Sequence, residues 1–239
     1  MSGSDVVIMV IATGLGACVQ GSIGFGLGLI AAPVLALIDP SMVPGPVLAA
    51  GVPLTLAVLV RERKALDIRA LRWALGGRIA GTVMAAATLA VLPERPLGIL
   101  FALLVLTAVV LSVAGWYVRP RPRTLAAAGV ASGFMGTATS IGGPPIALLF
   151  QRSRGSELRA TVGVVLAFGA VLSLASLIAV GRFGWDELRL TLLLVPGVAV
   201  GYLVSGPLSR VLDRGWLRPA VLLFAAASAI VLLVDQVVG

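Results

Sequence analysis

Histidine is absent from this 239-residue chain, and cysteine occurs once, at Cys18. Without histidine, zinc chemistry, proton relays through imidazole and a Ser-His-Asp triad lose their usual central residue. One cysteine excludes an internal disulfide and any metal site built from several thiolates. The sequence therefore indicates neither an enzyme of these classes nor a metal site, and we expect no cofactor.

Charged side chains are also scarce, at 12% of the residues, whereas hydrophobic residues make up 59%. A chain of this composition cannot keep most of its residues in water, so we expect it to lie in a lipid bilayer. The formal net charge is +8, but the arginines are separated by apolar runs and are not interleaved with stacking aromatic residues. This pattern does not indicate a nucleic-acid-binding protein, and lipid is the expected partner.

No lysine or arginine precedes the first apolar stretch, MSGSDVVIMVIATGLGAC. A secretory signal peptide needs a basic region in that place, so we expect this stretch to be a retained membrane segment. Asp and Glu are also missing from the inner parts of the apolar stretches. The residues that commonly relay protons inside membrane proteins are therefore absent from them.

Charged and proline-rich interruptions divide the chain into ten apolar segments. The criterion is the length of roughly 20 residues that a helix needs to cross about 30 Å of hydrocarbon. The segments are residues 6–22, 25–38, 43–60, 73–92, 97–118, 124–136, 143–151, 160–180, 189–209 and 217–237. This division predicts an all-α polytopic membrane protein.

The first five segments resemble the last five. GLGACVQGSIGFGLG, which begins at Gly14, matches GVASGFMGTATSIGG, which begins at Gly129, and GRIAG (77–81) matches GVAVG (197–201). Five crossings are an odd number, so the second half must enter the membrane in the opposite sense. We predict an inverted repeat of residues 1–118 and 125–239, joined by the basic linker 119–124, which is a common plan of secondary transporters.

The two GxxxG pairs, in GRIAG and in GVAVG, are expected to let helices pack backbone to backbone. Basic residues are concentrated in alternate loops, at residues 61–72, 119–123, 152–159 and 210–218. Cytoplasmic loops are enriched in lysine and arginine. This asymmetry predicts that both termini lie on the non-cytoplasmic side.

Glycines and prolines interrupt two of the segments. Residues 143–151 provide only about 13 Å of helix at 1.5 Å per residue, which is too short to cross a bilayer, and residues 25–38 are similar. We predict a broken or re-entrant helical hairpin in each half, with tips that meet near the middle of the membrane. Free backbone at that depth is tolerated only around a protected cavity. Gly142, Gly143, Pro144 and Pro145 suit a tight bend and the first turn of a helix, an end that favours an anion.

The candidate substrate-binding residues are those at the two breaks and one arginine inside a span. They are Gln20, Gly21, Ser22, Gly24, Phe25, Gly26, Arg78, Thr137, Thr139, Ser140, Gly142, Gly143, Pro144 and Gln151. For Ser22 and Thr137, simple helix packing is an equally good interpretation. Phe25 is either a cavity wall or a core or lipid-facing residue. Arg78 either binds the anion or extends to the lipid headgroups.

Two motifs, GSIGFGLGLIAAP (21–33) and GTATSIGGPPIALLFQ (136–151), together with the duplicated layout, resemble the sulfite exporter TauE/SafE family of membrane permeases. The resemblance covers nearly the whole chain. It implies a transporter in a bacterial inner membrane that exports small sulfur-containing anions such as sulfite, sulfoacetate or other organosulfonates.

Other functions remain open at this stage. They are a passive channel, a permease for another small organic anion, and a membrane assembly partner. A homodimer is also left open. Export is favoured by the negative cell interior, because each negative charge that moves outward gains about 2.3 kcal/mol per 100 mV without a coupling ion.

Overall fold

The computed structural model describes residues 2–62, 68–113, 118–153, 155–212 and 217–238. The helices are α1 (Gly3–Ile23), α2 (Leu27–Ile38), a short 3-10 helix (Pro40–Met42), α3 (Gly45–Glu62), α4 (Ile68–Val91), α5 (Glu94–Val113), α6 (Pro122–Thr139), α7 (Gly143–Leu149), α8 (Gly155–Ala179), α9 (Trp185–Leu212) and α10 (Leu217–Val238). No strand occurs in these ranges. The predicted all-α fold is therefore confirmed.

Six stretches of the described residues are long and apolar enough to cross a bilayer. They are Gly3–Ile23, Pro40–Arg61, Leu71–Val91, Arg95–Val113, Glu157–Ala179 and Trp185–Gly206. Helix α2 is apolar but has only 12 residues, so it is too short to cross alone. The protein is thus a multi-pass membrane protein.

Large apolar side chains cover the outward faces of these helices. Val83 of α4, Val110 of α5 and Leu203 of α9 are among the exposed apolar residues, and Leu203 exposes 75% of its surface. Many exposed apolar groups of this size would be unfavourable in water. In a bilayer the same groups face hydrocarbon, so this surface is consistent with the membrane assignment.

Glycines bring two pairs of helices into backbone contact. A Cβ atom at Gly77 of α4 would lie 2.1 Å from the carbonyl oxygen of Ala126 in α6, and one at Gly201 of α9 would lie 2.1 Å from that of Gly14 in α1. No side chain larger than hydrogen fits at such distances. The predicted close packing at both GxxxG pairs is therefore confirmed.

Both predicted breaks are present. Helix α1 ends at Ile23 and α2 begins at Leu27, with Gly24 and Gly26 between them at φ values of 101° and 147°. These angles favour glycine because L side chains rarely adopt them. The second break joins α6 to α7, and Ser140 has a φ of 65° there. Helix α1 has 21 residues and is long enough to cross a bilayer by itself, so the first break follows a full-length helix.

Some of the predicted segments and basic loops reach beyond these ranges. Four residues that contribute to the orientation prediction lie outside the described residues, as do residues 114–117 of the fifth segment; the four are Arg63, Lys64, Arg154 and Arg214. In the second half, α7 ends at Leu149, so Gln151 lies in the turn after the helix rather than inside it.

Candidate functional site

A small cavity of about 40 Å³ lies beside the two breaks. Its walls come from α1, α2, α3, α4, α6 and α8 and from the link between α6 and α7, so both halves of the chain contribute. The polar side chains on the wall are those of Gln20, Thr55, Arg78 and Ser140, and Gly28, Gly51, Gly136 and Gly142 also line it. A mixed polar and apolar lining of this kind is typical of small-ligand sites.

The two breaks touch each other beside this cavity. A Cβ atom at Gly28, in the first turn of α2, would lie 2.1 Å from the carbonyl oxygen of Ser140. A Cβ atom at Gly143, the first residue of α7, would lie 2.5 Å from Cβ of Phe25. Backbone therefore approaches backbone between the breaks, and no bulky side chain separates Gly28 from Ser140.

Gln20 connects the first break to α3. Its Oε1 accepts a hydrogen bond of 3.1 Å from the backbone N-H of Leu27, and its Nε2 donates one of 2.9 Å to Oγ1 of Thr55. The N-H of Leu27 is one of the backbone donors at the start of α2 that has no partner within the helix. The Gln20 amide thus holds α2 in place and lies on the cavity wall.

Arg78 is the buried cation of the site. Its side chain is 1% exposed, and its Nη1 donates to both the carbonyl oxygen of Ser132, at 3.0 Å, and the Ser132 Oγ. Its Nε is buried without a hydrogen-bond partner. The interpretation that Arg78 extends to the lipid headgroups is therefore wrong, because neighbouring helices enclose the guanidinium.

The positive charge of Arg78 has no carboxylate partner. Within the part of the chain that the structure describes, no Asp or Glu is seen within ion-pair distance of its guanidinium, whereas Arg189 on the surface pairs with Asp186. A buried charge without a counterion is costly, and other hydrogen bonds compensate only part of that cost. This arrangement favours an anion as the missing partner.

Three glycines form a narrow slot around the guanidinium. A Cβ atom would lie 1.7 Å from Nε at Gly169 of α8, 2.6 Å from Nη2 at Gly136 of α6 and 2.5 Å from Nη1 at Gly142. Any side chain at these positions would displace the arginine. The slot therefore fixes Arg78 at the cavity wall by shape as well as by hydrogen bonds.

The hydroxyl residues of the second half lie around this slot but not all on the cavity. Thr137 Oγ1 forms hydrogen bonds of 3.2 Å with Thr82 and 2.7 Å with Ser173, which joins α6 to α4 and α8. Thr139 donates to the Met135 carbonyl and accepts from the N-H of Ile141, so it stabilises the end of α6.

Ser140 lies on the cavity wall and also holds the second break in place. Its Oγ donates a hydrogen bond of 2.8 Å to the carbonyl of Pro44, just before α3. This bond connects the link between α6 and α7 to the first half of the chain.

The remaining candidates from the first half are placed in helix contacts. Gly21 accepts a hydrogen bond from Arg61 through its carbonyl, and Ser22 donates to the carbonyls of Cys18, at 2.8 Å, and Ser205, at 3.3 Å. Gly24 packs against Arg159, and Gly26 against Val19. These four residues are not among the cavity-lining residues.

The remaining candidates, one from the first half and three from the second, also lie away from the cavity wall. Phe25 packs in an apolar cluster with Ile146 and Phe150, and Gly143 and Pro144 are buried in the first turn of α7. Gln151 is half-buried in the turn that follows. The cavity therefore brings together Gln20, Arg78, Ser140 and Gly142 of the predicted set.

Several residues of the site were not predicted, among them Thr55, Ser132 and Gly169. Thr55 binds Gln20, Ser132 binds Arg78, and Gly169 forms the slot wall. Thr55 is a lone hydroxyl two residues after Pro53 in an apolar segment, a signal that could have drawn attention to it. Ser132 and Gly169 resemble ordinary packing residues, and only their neighbours on other helices show their role.

A model of a known protein family matches nearly the whole chain. The family is described as sulfite exporter TauE/SafE, and the match covers residues 8–232. Comparison with curated proteins and with solved structures finds no significant match. The multi-pass helical fold and the match over most of its length agree, and the chain belongs to the sulfite exporter TauE/SafE family of membrane transporters.

Proposed function

We propose that this protein is a permease that exports small sulfur-containing anions, such as sulfite, sulfoacetate or other organosulfonates, from the cytoplasm. The anion binds in the cavity beside the two breaks. The observation that carries this proposal is the buried guanidinium of Arg78, which lies on the cavity wall without a carboxylate partner among the described residues. The family match supports the transporter class.

Electrostatics supports an anion as the cargo. Moving a guanidinium into a membrane interior costs roughly 2.5 to 3.5 kcal/mol on insertion scales, and a bound anion recovers part of that cost. A guanidinium also offers its N-H groups in a planar fork that fits the oxygens of an oxyanion. Arg78 uses Nη1 on Ser132 and leaves Nε without a protein partner.

Gln20 can supply a second donor. Its Nε2 carries two hydrogen atoms, of which one is donated to Thr55. The other is available to an anion in the cavity, since Gln20 lies on its wall. Arg78 of α4 and Gln20 beside the first break would then hold the cargo from two sides.

Helix pairing supports the inverted repeat. If α1–α5 (within residues 1–118) correspond to α6–α10 (within residues 125–239), then the α1 and α9 pair is equivalent to the α6 and α4 pair. The α3 and α8 pair and the α5 and α10 pair then each join equivalent helices. We propose that the halves are related in this way, with residues 119–124 between them and two re-entrant hairpins at the breaks.

The proposed location is a bacterial inner membrane, with both termini on the non-cytoplasmic side. Outward movement of an anion is then downhill in the membrane potential. The site could also conduct passively or carry another small organic anion, and saturable counterflow of sulfite distinguishes a carrier from a channel.

Replacement of Arg78 tests the proposal. We expect Arg78→Gln to reduce sulfite efflux from liposomes containing the purified protein on the order of 30-fold or more, because the cargo loses its charged partner. Arg189→Gln is the matched control, since Arg189 forms an exposed ion pair with Asp186. Normal efflux by Arg78→Gln, with the control also normal, would show that Arg78 does not bind the cargo.

A further inference from the structure

Ser132 lies where the charged group of the site meets the backbone of the second break. Its side chain is fully buried in α6. Its Oγ accepts a hydrogen bond from Nη1 of Arg78 and donates one to the carbonyl oxygen of Gly142, the residue that precedes α7. Its own carbonyl oxygen also accepts from Nη1, at 3.0 Å. One serine therefore joins α4, α6 and the start of α7.

We propose that Ser132 is a positioning residue for anion transport, which orients Arg78 towards the cavity and connects it to the α6–α7 break. The inference rests on the proposed function, in which Arg78 binds the cargo. It adds that the cargo acts on the break through a short chain of hydrogen bonds from Arg78 through Ser132 to Gly142.

The hydrogen-bond capacity of a hydroxyl explains why Ser132 positions Arg78 and does not itself bind the anion. A serine hydroxyl has a single hydrogen to donate. In Ser132 this hydrogen is directed to the Gly142 carbonyl, so the hydroxyl has no donor left for an anion. Its lone pairs would repel an anion but they suit the N-H of Arg78. The hydroxyl is thus committed to holding the guanidinium.

The orientation of Arg78 follows from these bonds. Both contacts of Ser132 are made to Nη1, so Ser132 occupies neither Nε nor Nη2. The Gly136, Gly142 and Gly169 slot encloses the same group. Without the hydroxyl, Nη1 would keep only its bond to the Ser132 carbonyl, and the guanidinium would lose one of the two hydrogen bonds that set its orientation in the slot.

The hydrogen bond from Ser132 to the Gly142 carbonyl also connects Arg78 to the second break. Gly142 lies on the cavity wall and begins the turn into α7. A displacement of the guanidinium towards a bound anion would therefore pull on Ser132 and, through it, on the Gly142 carbonyl. Cargo binding and the conformation of the second break are coupled in this way.

Sulfite transport by purified protein in liposomes tests the proposal. We expect Ser132→Ala to raise the KM for sulfite about tenfold, which corresponds to the loss of one hydrogen bond to a charged group. Ser176→Ala is the matched control, because Ser176 is a serine of α8 whose hydroxyl binds only within its own helix, to the Leu172 carbonyl, among the contacts described. Its KM should remain at the wild-type value.

A double-mutant cycle separates positioning from general damage to the fold. If Ser132 acts through Arg78, Ser132→Ala should change sulfite transport less than about twofold in an Arg78→Gln background. A purely structural role would lower Vmax and the melting temperature in both backgrounds and leave the KM unchanged. That result would overturn the proposal.

The two proposals fail in different ways. A wild-type KM in Ser132→Ala together with the loss of transport in Arg78→Gln refutes the positioning role alone. Normal transport in Arg78→Gln refutes the cargo site itself. If Ser132→Ala does not fold, Ser132→Cys keeps the side-chain volume but hydrogen-bonds weakly; a KM raised about threefold supports the role, and a wild-type KM overturns it.

Discussion

Arg78 is confined by its surroundings at the level of single atoms. The hydrogen bonds to Ser132 fix one end of the guanidinium, and the glycines of the slot remove the space for another position. Close-packed interiors transmit such constraints because side chains cannot shift independently. The site therefore depends as much on the absence of Cβ atoms around Arg78 as on its charge.

Substitution of Gly169 tests this dependence. A methyl group there would lie 1.7 Å from Nε of Arg78, so we expect Gly169→Ala to push the guanidinium away from the cavity and to reduce sulfite efflux at least about tenfold. Gly163→Ala in the same helix is the control, because its Cβ would lie 3.8 Å from the nearest atom, in Leu59. Equal efflux by the two variants would contradict the slot.

The sequence identified part of this site for a physical reason. Arg78 stands out because a charge inside an apolar segment is rare, and Gly142 because a glycine and proline break is incompatible with a continuous helix. Ser132 and Gly169 have no such mark. Their role depends on which helices lie beside them, and that information is not present in the local pattern of residues.

Pairs of helices in direct backbone contact are the main feature at the level of elements. Helix α4 meets α6 at Gly77, Gly81, Gly129 and Gly133, and α1 meets α9 at glycines that include Gly197 and Gly201. In a membrane the hydrophobic effect does not drive helices together, so dispersion contacts between closely packed backbones carry more of the stability.

Two adjacent glycines of α4 provide a sharp test of this packing. A Cβ at Gly77 would meet the Ala126 carbonyl at 2.1 Å, whereas one at Gly76 would have nothing within 4 Å. We expect Gly77→Ala to destabilise the protein by about 1 to 3 kcal/mol through overpacking. Gly76→Ala should be neutral or stabilising by up to about 1 kcal/mol through helix propensity.

Thermal unfolding in detergent measures both effects. A lower melting temperature is expected for Gly77→Ala alone. A similar melting temperature for the two variants would mean that the contact between α4 and α6 contributes little to stability.

The positions of the breaks were predicted closely from sequence. Glycines with positive φ at Gly24 and Gly26, and the prolines after Gly143, interrupt the helical pattern where the structure ends and restarts its helices. The end of α7 was less predictable, because the residues up to Gln151 are compatible with a helix and tertiary contacts decide where it stops. The partner of each helix could not be read from hydropathy at all.

At the scale of the whole molecule, the outward faces are apolar and the buried charge lies inside. The basic loops predict which side faces the cytoplasm, and the family match agrees with an exporter. If the cargo is an anion that moves without a coupling ion, the membrane potential alone sets the direction of net transport.

Liposomes with an imposed potential test this directly. At 100 mV, inside negative, we expect a singly charged anionic cargo to be depleted from the lumen by a ratio on the order of 50-fold at equilibrium. Reversal of the potential should reverse the ratio. An unchanged distribution would indicate electroneutral exchange with another ion, and the Arg78→Gln protein serves as the control for leakage.

Because no carboxylate of the described residues lies beside Arg78, the conformation of the empty transporter that is hardest to reach can be inferred. The charge of the guanidinium can be compensated either by bound cargo or by water that enters when the cavity opens. Release of the cargo and hydration of the cavity should therefore occur together. The closed, dry cavity without cargo would then be the least populated state of the transport cycle. The return of the empty protein, rather than the movement of the anion, would limit the rate of transport.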